Sequence, residues 1–159
     1  EKKTGKKPKA IIAVHLYGMP AKIKEIMAIA QKHGIPVIED AAEALGSTVD
    51  GKKCGTFGDL GIYSFNGNKI ITTSGGGALV SNNGAWIQKA RFLSTQARDP
   101  APHYEHSQIG YNYRLSNICA GIGRGQMLML EERIAARRAN YAFYEQALED
   151  SVTVGLPLY

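Results

Sequence analysis

Two apolar runs of strand length bracket a helical stretch near the start of this chain, and that order limits its fold more than any other feature. Ala10-Ile11-Ile12-Ala13-Val14 is continuously apolar, as in a strand buried on both faces. From Lys22 to His33 the apolar residues Ile23, Ile26, Met27 and Ala30 recur at helical spacing, while Lys24, Glu25, Gln31 and Lys32 can face water. Gly34 is suited to end that helix in a left-handed conformation. A second buried strand is expected over Ile35-Pro36-Val37-Ile38-Glu39. Strand, helix and strand within residues 9–40 make a βαβ unit, whose two strands run parallel. In such sheets ligands bind beyond the carboxyl ends of the strands, which puts His15 and Asp40 at the functional rim.

The alternation continues downstream. Ala41–Leu45 is expected to form a helical turn and the glycine-rich stretch 51–58 a series of turns. Gly61–Phe65 reads as a third strand and Gly77–Val80 as a fourth, with residues 70–76 between them. Asn82 or Asn83 can start a helix through Trp86, Ile87, Ala90 and Leu93, whereas residues 97–113, with Pro100, Pro102 and Gly110, look irregular. Ser116 is a plausible N-cap for one long helix reaching Leu148, with Ile118, Ile122, Met129, Ile134 and Tyr141 supplying apolar contacts. Gly121, Gly123 and Gly125 weaken its first turns. The fold class is therefore α/β, a mostly parallel sheet flanked by helices. Residues 1–115 form its main segment, and 116–159 a long helix and the start of a linker toward a further domain.

Composition narrows the function. Apolar residues make up 44% of the 159, enough for a real core, yet no run approaches a membrane span. Five lysines against one glutamate in residues 1–9 supply four of the five net positive charges. Without aromatic interleaving or an arginine cluster, that stretch argues against nucleic-acid binding. Cys54 and Cys119 have no metal or CxxC spacing and fit isolated thiols in a reducing cytoplasm, and no signal-peptide pattern opens the sequence. The His103/His106 pair lacks the acidic or cysteine partners that would complete a metal site.

The chemistry centres on Lys69, just past the third strand, and Asp40, at the end of the second. An amine and a carboxylate so placed can hold a pyridoxal ring: the aldehyde condenses with the amine, and the carboxylate keeps the ring nitrogen protonated. Such a lysine acts near neutral pH only if part of it is a free amine, which burial and a neighbouring cationic ring both favour. The run Gly75-Gly76-Gly77 is not a dinucleotide fingerprint and suits a sharp turn back into the sheet.

Five segments carry a more specific likeness. They are Val37-Ile38-Glu39-Asp40-Ala41-Ala42-Glu43, Gly55-Thr56-Phe57-Gly58-Asp59, Tyr63-Ser64-Phe65-Asn66-Gly67-Asn68-Lys69, Thr73-Ser74-Gly75-Gly76-Gly77-Ala78 and Gly110-Tyr111-Asn112-Tyr113-Arg114-Leu115-Ser116. In order and spacing the chain resembles the DegT/DnrJ/EryC1/StrS sugar aminotransferases, pyridoxal 5'-phosphate enzymes of the aspartate aminotransferase-like fold. Among them it is similar to the enzymes that aminate UDP-linked 4-keto-6-deoxy-N-acetylhexosamines on the way to bacillosamine-type sugars. The chain then corresponds to the central part of the large domain.

The resemblance implies roles. Lys69 is the lysine that condenses with the cofactor and moves the proton. Asp40 partners the ring nitrogen, Ala42 packs flat against the ring, and Ser64 donates to the phosphate. Glu43 stands near the ring's phenolic oxygen, where relatives often carry Gln or His; two anions there repel unless one holds a proton, so its contact stays open. Asn112, which alone reads as a turn residue, reaches the phosphate of the partner subunit in a homodimer, and Arg114 is structural or near that interface.

The implied reaction takes the amine of L-glutamate and delivers it to the ketone of a nucleotide-linked sugar. A related dehydratase that uses pyridoxamine phosphate is the alternative, but it carries histidine where this chain has Lys69. Relatives of this kind are more than twice as long. A protein beginning at Glu1 is thus expected to hold cofactor weakly and to be inactive alone.

Overall fold

The structure, a computed structural model, describes residues 5–148. Strands β1 (Ile11–Val14), β2 (Val37–Asp40) and β5 (Leu60–Ser64) are parallel, and β6 (Gly77–Val80) joins antiparallel, in the order β1-β2-β5-β6. Helix α1 (Ile23–His33) crosses between β1 and β2, as the apolar spacing requires, and ends at Gly34 with φ 56°. Ile23 and Ala30 of α1 close over Ala13 and Val37 to form the buried core, with Ile11, Ile26 and Met27 packed around it. Burying a side chain the size of Ile23 contributes roughly 1.5–3 kcal/mol.

The expectation that β1 is buried on both faces does not hold. Ile12 is 64% exposed and Val14 49% exposed, and the register places Ile62 and Leu79 beside them on the same open face. Among the described residues, α1 covers only the opposite face.

Residues 41–47 form two consecutive tight turns, closed by Ala44 N–H to Ala41 O and Ser47 N–H to Ala44 O at 3.0 Å each, rather than a helical turn. The following stretch holds an antiparallel hairpin, β3 (Thr48–Val49) with β4 (Lys52–Lys53), turned by Asp50 at φ 48° and Gly51 at φ 77°. Positive φ at both turn residues matches the right-handed strand twist, and Asp-Gly is among the residue pairs that adopt it readily.

The single long helix is two. After α2 (Gly84–Ser94), capped by Asn83 as the sequence suggests, come α3 (Asn117–Met127), capped by Ser116, and α4 (Leu130–Leu148). At the break Leu128 N–H bonds Gly125 O and Met129 N–H bonds Gln126 O, tightening the last turn of a segment already weakened by three glycines. Ile118 and Ile122 do not pack inward as expected; both are exposed. Instead α4 is seated through buried Leu130 and through Ile134, whose Cδ1 would lie 2.4 Å from a Cβ built on Gly46. The linker expected at the end of the chain lies outside the described residues.

One buried carboxylate holds β1, β2 and the loop before β5 together. Glu39 is fully buried; its Oε1 accepts from the N–H groups of Phe57 and Gly58 at 2.6 Å each, and its Oε2 accepts from Gly55 N–H at 2.8 Å. His15 Nδ1 accepts from Ala21 N–H at 3.0 Å, so the ring proton sits on Nε2 and is donated to Glu39 Oε2 at 2.9 Å. His15 is thus enclosed in the α1-side core rather than at the functional rim. Gly55, at φ 86°, leaves room for Tyr63, whose hydroxyl would otherwise meet a Cβ at 2.5 Å and which donates to Cys54 O at 2.7 Å.

Two predictions follow from this network. Glu39→Gln turns one acceptor oxygen into a donor facing backbone N–H groups and lowers unfolding free energy by about 2–4 kcal/mol in urea denaturation; a loss below about 1 kcal/mol contradicts the assignment. Burial, and then the Glu39 charge, push the Cys54 thiol and the Tyr63 phenol upward from their ordinary values of 9.0 and 10.0. Groups raised in the folded state contribute fully below the unfolded values and lose that contribution as pH climbs, so stability declines through the alkaline range. Tyr63→Phe flattens part of that decline in denaturation curves measured at successive alkaline pH values.

Candidate active site

Parallel strands that end together leave a rim, and the chain places its reactive side chains there. Asp40 ends β2 and Ser64 ends β5, and the register puts both on the open face of the sheet, opposite α1. After β5 the chain makes a loop closed at its base by Phe65, whose N–H bonds Gly76 O at 3.0 Å and whose O accepts from Thr73 N–H at 2.9 Å. Gly76, at φ 85°, turns the chain, and β6 starts at the next residue, the role expected for the glycine run. Within the loop Lys69 N–H bonds Asn66 O at 3.1 Å, and the lysine side chain, 16% exposed, extends toward residues 42–47.

There Lys69 Nζ lies 3.6 Å from Glu43 Oε1. The second oxygen of Glu43 accepts from Tyr17 N–H at 2.7 Å. Tyr17 occupies the left-handed region at φ 56°, a conformation that costs a non-glycine residue about 1 kcal/mol or more and is found disproportionately at functional sites. These residues face a cleft of about 350 Å³ whose walls include Tyr17, Ala42, Glu43, Ser64, Lys69 and Arg137. Ser64 Oγ accepts from Asn66 N–H at 3.3 Å, leaving its own proton for an acceptor in the cleft.

Of the residues singled out from sequence, the structure brings Ala42, Glu43, Ser64 and Lys69 to one cavity. Asp40 is not among the residues lining it; it is half-buried, and its Oδ1 accepts from the N–H of the lining residue Ala42 at 3.1 Å. Asn112 lies elsewhere: it is exposed, bridges Thr95, and sits between Tyr111 and Tyr113, whose rings stack at 5.0 Å. His106 Nδ1 meets Gln96 O at 2.9 Å, and among the described residues no group of three His, Cys, Asp or Glu is placed to hold a metal ion.

Sequence reasoning missed Arg137 and Arg138, which also line the cleft. Their spacing of three and four from Ile134 was the available signal, legible only once Ile134 was known to dock on Gly46.

The profile of the DegT/DnrJ/EryC1/StrS aminotransferase family matches residues 1–157. The chain is 60% identical over 147 residues to EpsN of Bacillus subtilis, named provisionally as a pyridoxal phosphate-dependent aminotransferase; the match covers 92% of this chain and 38% of that protein. It is 41% identical over 158 residues to the GDP-perosamine synthase of Vibrio cholerae, covering 99% of this chain and 42% of the synthase. The crystal structure of a DegT/DnrJ/EryC1/StrS aminotransferase from Brucella abortus superposes with a TM-score of 0.88 at 35% identity, over 98% of this chain and 42% of that one. The chain thus spans about two fifths of the length of these relatives. With a family profile matched nearly end to end and the same fold in a solved member, this chain belongs to the DegT/DnrJ/EryC1/StrS aminotransferase family.

Proposed function

We propose that these residues form the cofactor-binding centre of a pyridoxal phosphate-dependent aminotransferase that moves the amine of L-glutamate to a nucleotide-linked keto sugar. The observation that carries this reading is the partly buried Lys69 amine, held 3.6 Å from Glu43 in a cleft walled by Ala42 and Ser64. That donor set fits the cofactor. An amine is present for the aldehyde, a hydroxyl with an uncommitted proton for the phosphate, a methyl-sized side chain where a flat ring needs room, and a carboxylate, that of Asp40, for the ring nitrogen. When bound, the cofactor supplies the electron sink that allows an amine to leave one carbon and join another.

The chain's own groups handle positions and protons. Lys69 Nζ takes and returns the proton at the reacting carbon. Glu43, anchored by Tyr17 N–H, holds that amine in the cleft and is the nearest carboxylate to it. Asp40, its backbone direction set by the Glu39 network one residue earlier, keeps a charge on the ring nitrogen's side. Asn112, exposed and away from its own chain's cleft, suits a contact with the cofactor phosphate of a partner subunit in a homodimer.

Residues 1–115 serve as the cofactor-binding segment of the large domain, and 116–159 as its lead toward a smaller domain. The acceptor is a 4-keto-6-deoxy-N-acetylhexosamine carried on UDP, the sugar class that the motifs favour; the GDP in one relative's name makes the nucleotide the first specificity to measure. No helix among the described residues is long and apolar enough to cross a membrane, in keeping with work on soluble sugar nucleotides in the cytoplasm. Lys69 favours amino transfer over the dehydration carried out by relatives with histidine at this place.

In a protein of its relatives' full length, adding pyridoxal phosphate gives the visible absorbance of a lysine-bound cofactor, and Lys69→Ala removes it and lowers glutamate-dependent transfer to a panel of UDP-, GDP- and dTDP-linked 4-keto sugars by at least about 10²-fold. A Lys69→Ala protein that keeps the band and the transfer overturns the reading.

A further inference from the structure

The cleft beside Lys69 carries more positive charge than the cofactor-holding residues explain. Its walls contain one acid, Glu43, and three bases, Lys69, Arg137 and Arg138. Glu43 is already engaged by the Lys69 amine and Tyr17 N–H. Neither arginine makes an ion pair with any described residue.

Their aim is set by how α4 is seated. Leu130 is buried, and Ile134 fills the space left by the missing side chain of Gly46. Residues three and four beyond a docked position share its helix face, so contact at Ile134 directs Arg137 and Arg138 to the same side. Both reach the cavity that holds Lys69.

A guanidinium offers a planar fork that matches a carboxylate or a phosphoryl group with two parallel hydrogen bonds. Donor and acceptor must each bring the reacting atom to Lys69. In an amino-acid donor the carboxylate is attached to the very carbon that bears the amine, so it binds inside the same cavity. In a sugar nucleotide the diphosphate lies across the hexose ring from a 4-ketone and falls farther off.

We infer that Arg137 and Arg138 form a carboxylate subsite of the Lys69 cleft that receives the dicarboxylic amino donor. The inference rests on the aminotransferase reading for the identity of the donor, whereas the anion subsite itself does not. The other group that would suit two guanidiniums is the phosphate of the cofactor.

The test uses glutarate, a dicarboxylate with neither amine nor ketone, titrated calorimetrically into the protein with and without pyridoxal phosphate. Arg137→Ala and Arg138→Ala each weaken glutarate binding at least about tenfold, the double variant more, and the lysine variants less because they keep charge but lose the fork. The melting temperature stays within about 2 °C, since both side chains are exposed, and affinity for pyridoxal phosphate stays within about threefold. Glutarate binding unchanged within twofold in the double variant overturns the subsite. So does a loss confined to cofactor affinity, which assigns the arginines to the cofactor's phosphate instead. Arginine-dependent glutarate binding in a protein of its relatives' full length that forms no visible band with pyridoxal phosphate supports the subsite while sinking the aminotransferase reading.

Discussion

The architecture turns on a single carboxylate that water cannot reach. Glu39 satisfies three backbone N–H groups of the segment 55–58 and receives the His15 proton from the end of β1. A charge removed from water is tolerated only with such complete hydrogen bonding, and removing any partner leaves a group that is expensive to bury. The consequence is geometric. Strand alternation sends Glu39 toward α1 and the next residue, Asp40, to the open face. Fixing the first therefore fixes the second, and a structural residue and a proposed ring-nitrogen partner share one peptide unit.

The open face gives the site its setting. Asp40 and Ser64 stand on the side of the sheet where Ile12, Val14, Ile62 and Leu79 remain exposed. The two sides of the sheet thus divide the work: a closed, apolar side under α1 that supplies cohesion, and a side that presents polar groups at the strand ends. The left-handed Tyr17 belongs to the second side; its backbone N–H, turned toward Glu43, restrains the carboxylate nearest to the lysine amine.

Much of this was legible from the residues alone. The βαβ order and the caps at Gly34, Asn83 and Ser116 follow from local patterns, and the gathering of Ala42, Glu43 and Ser64 with Lys69 was implied by the family resemblance of their motifs. What escaped depends on pairings distant in sequence. His15 looks like a rim residue until its partner 24 positions away is known, although a glutamate two residues after buried Val37 on the same strand face was a hint of an internal charge. The Asp50-Gly51 pair is itself a hairpin signal, but the glycine-rich stretch 51–58 that follows it reads as turns and hides the second strand. The division of α3 from α4 needed tertiary information, because helical periodicity alone carries through Leu128 and Met129 without interruption.

The segment between β2 and the hairpin has a property that a helix would have denied it. Five of the six residues from 42 to 47 line one cavity, whereas a helix, turning about 100° per residue, spreads six consecutive side chains around its whole circumference. The path of this segment is set by main-chain bonds, by the Ser47 hydroxyl on Gly18 O at 2.7 Å and by the Glu43 carboxylate on Tyr17 N–H, not by the side chain at 45. Exchanging the side chain at 45 recuts the cavity while strand register and core stay as they are, so selectivity and stability are free to drift apart.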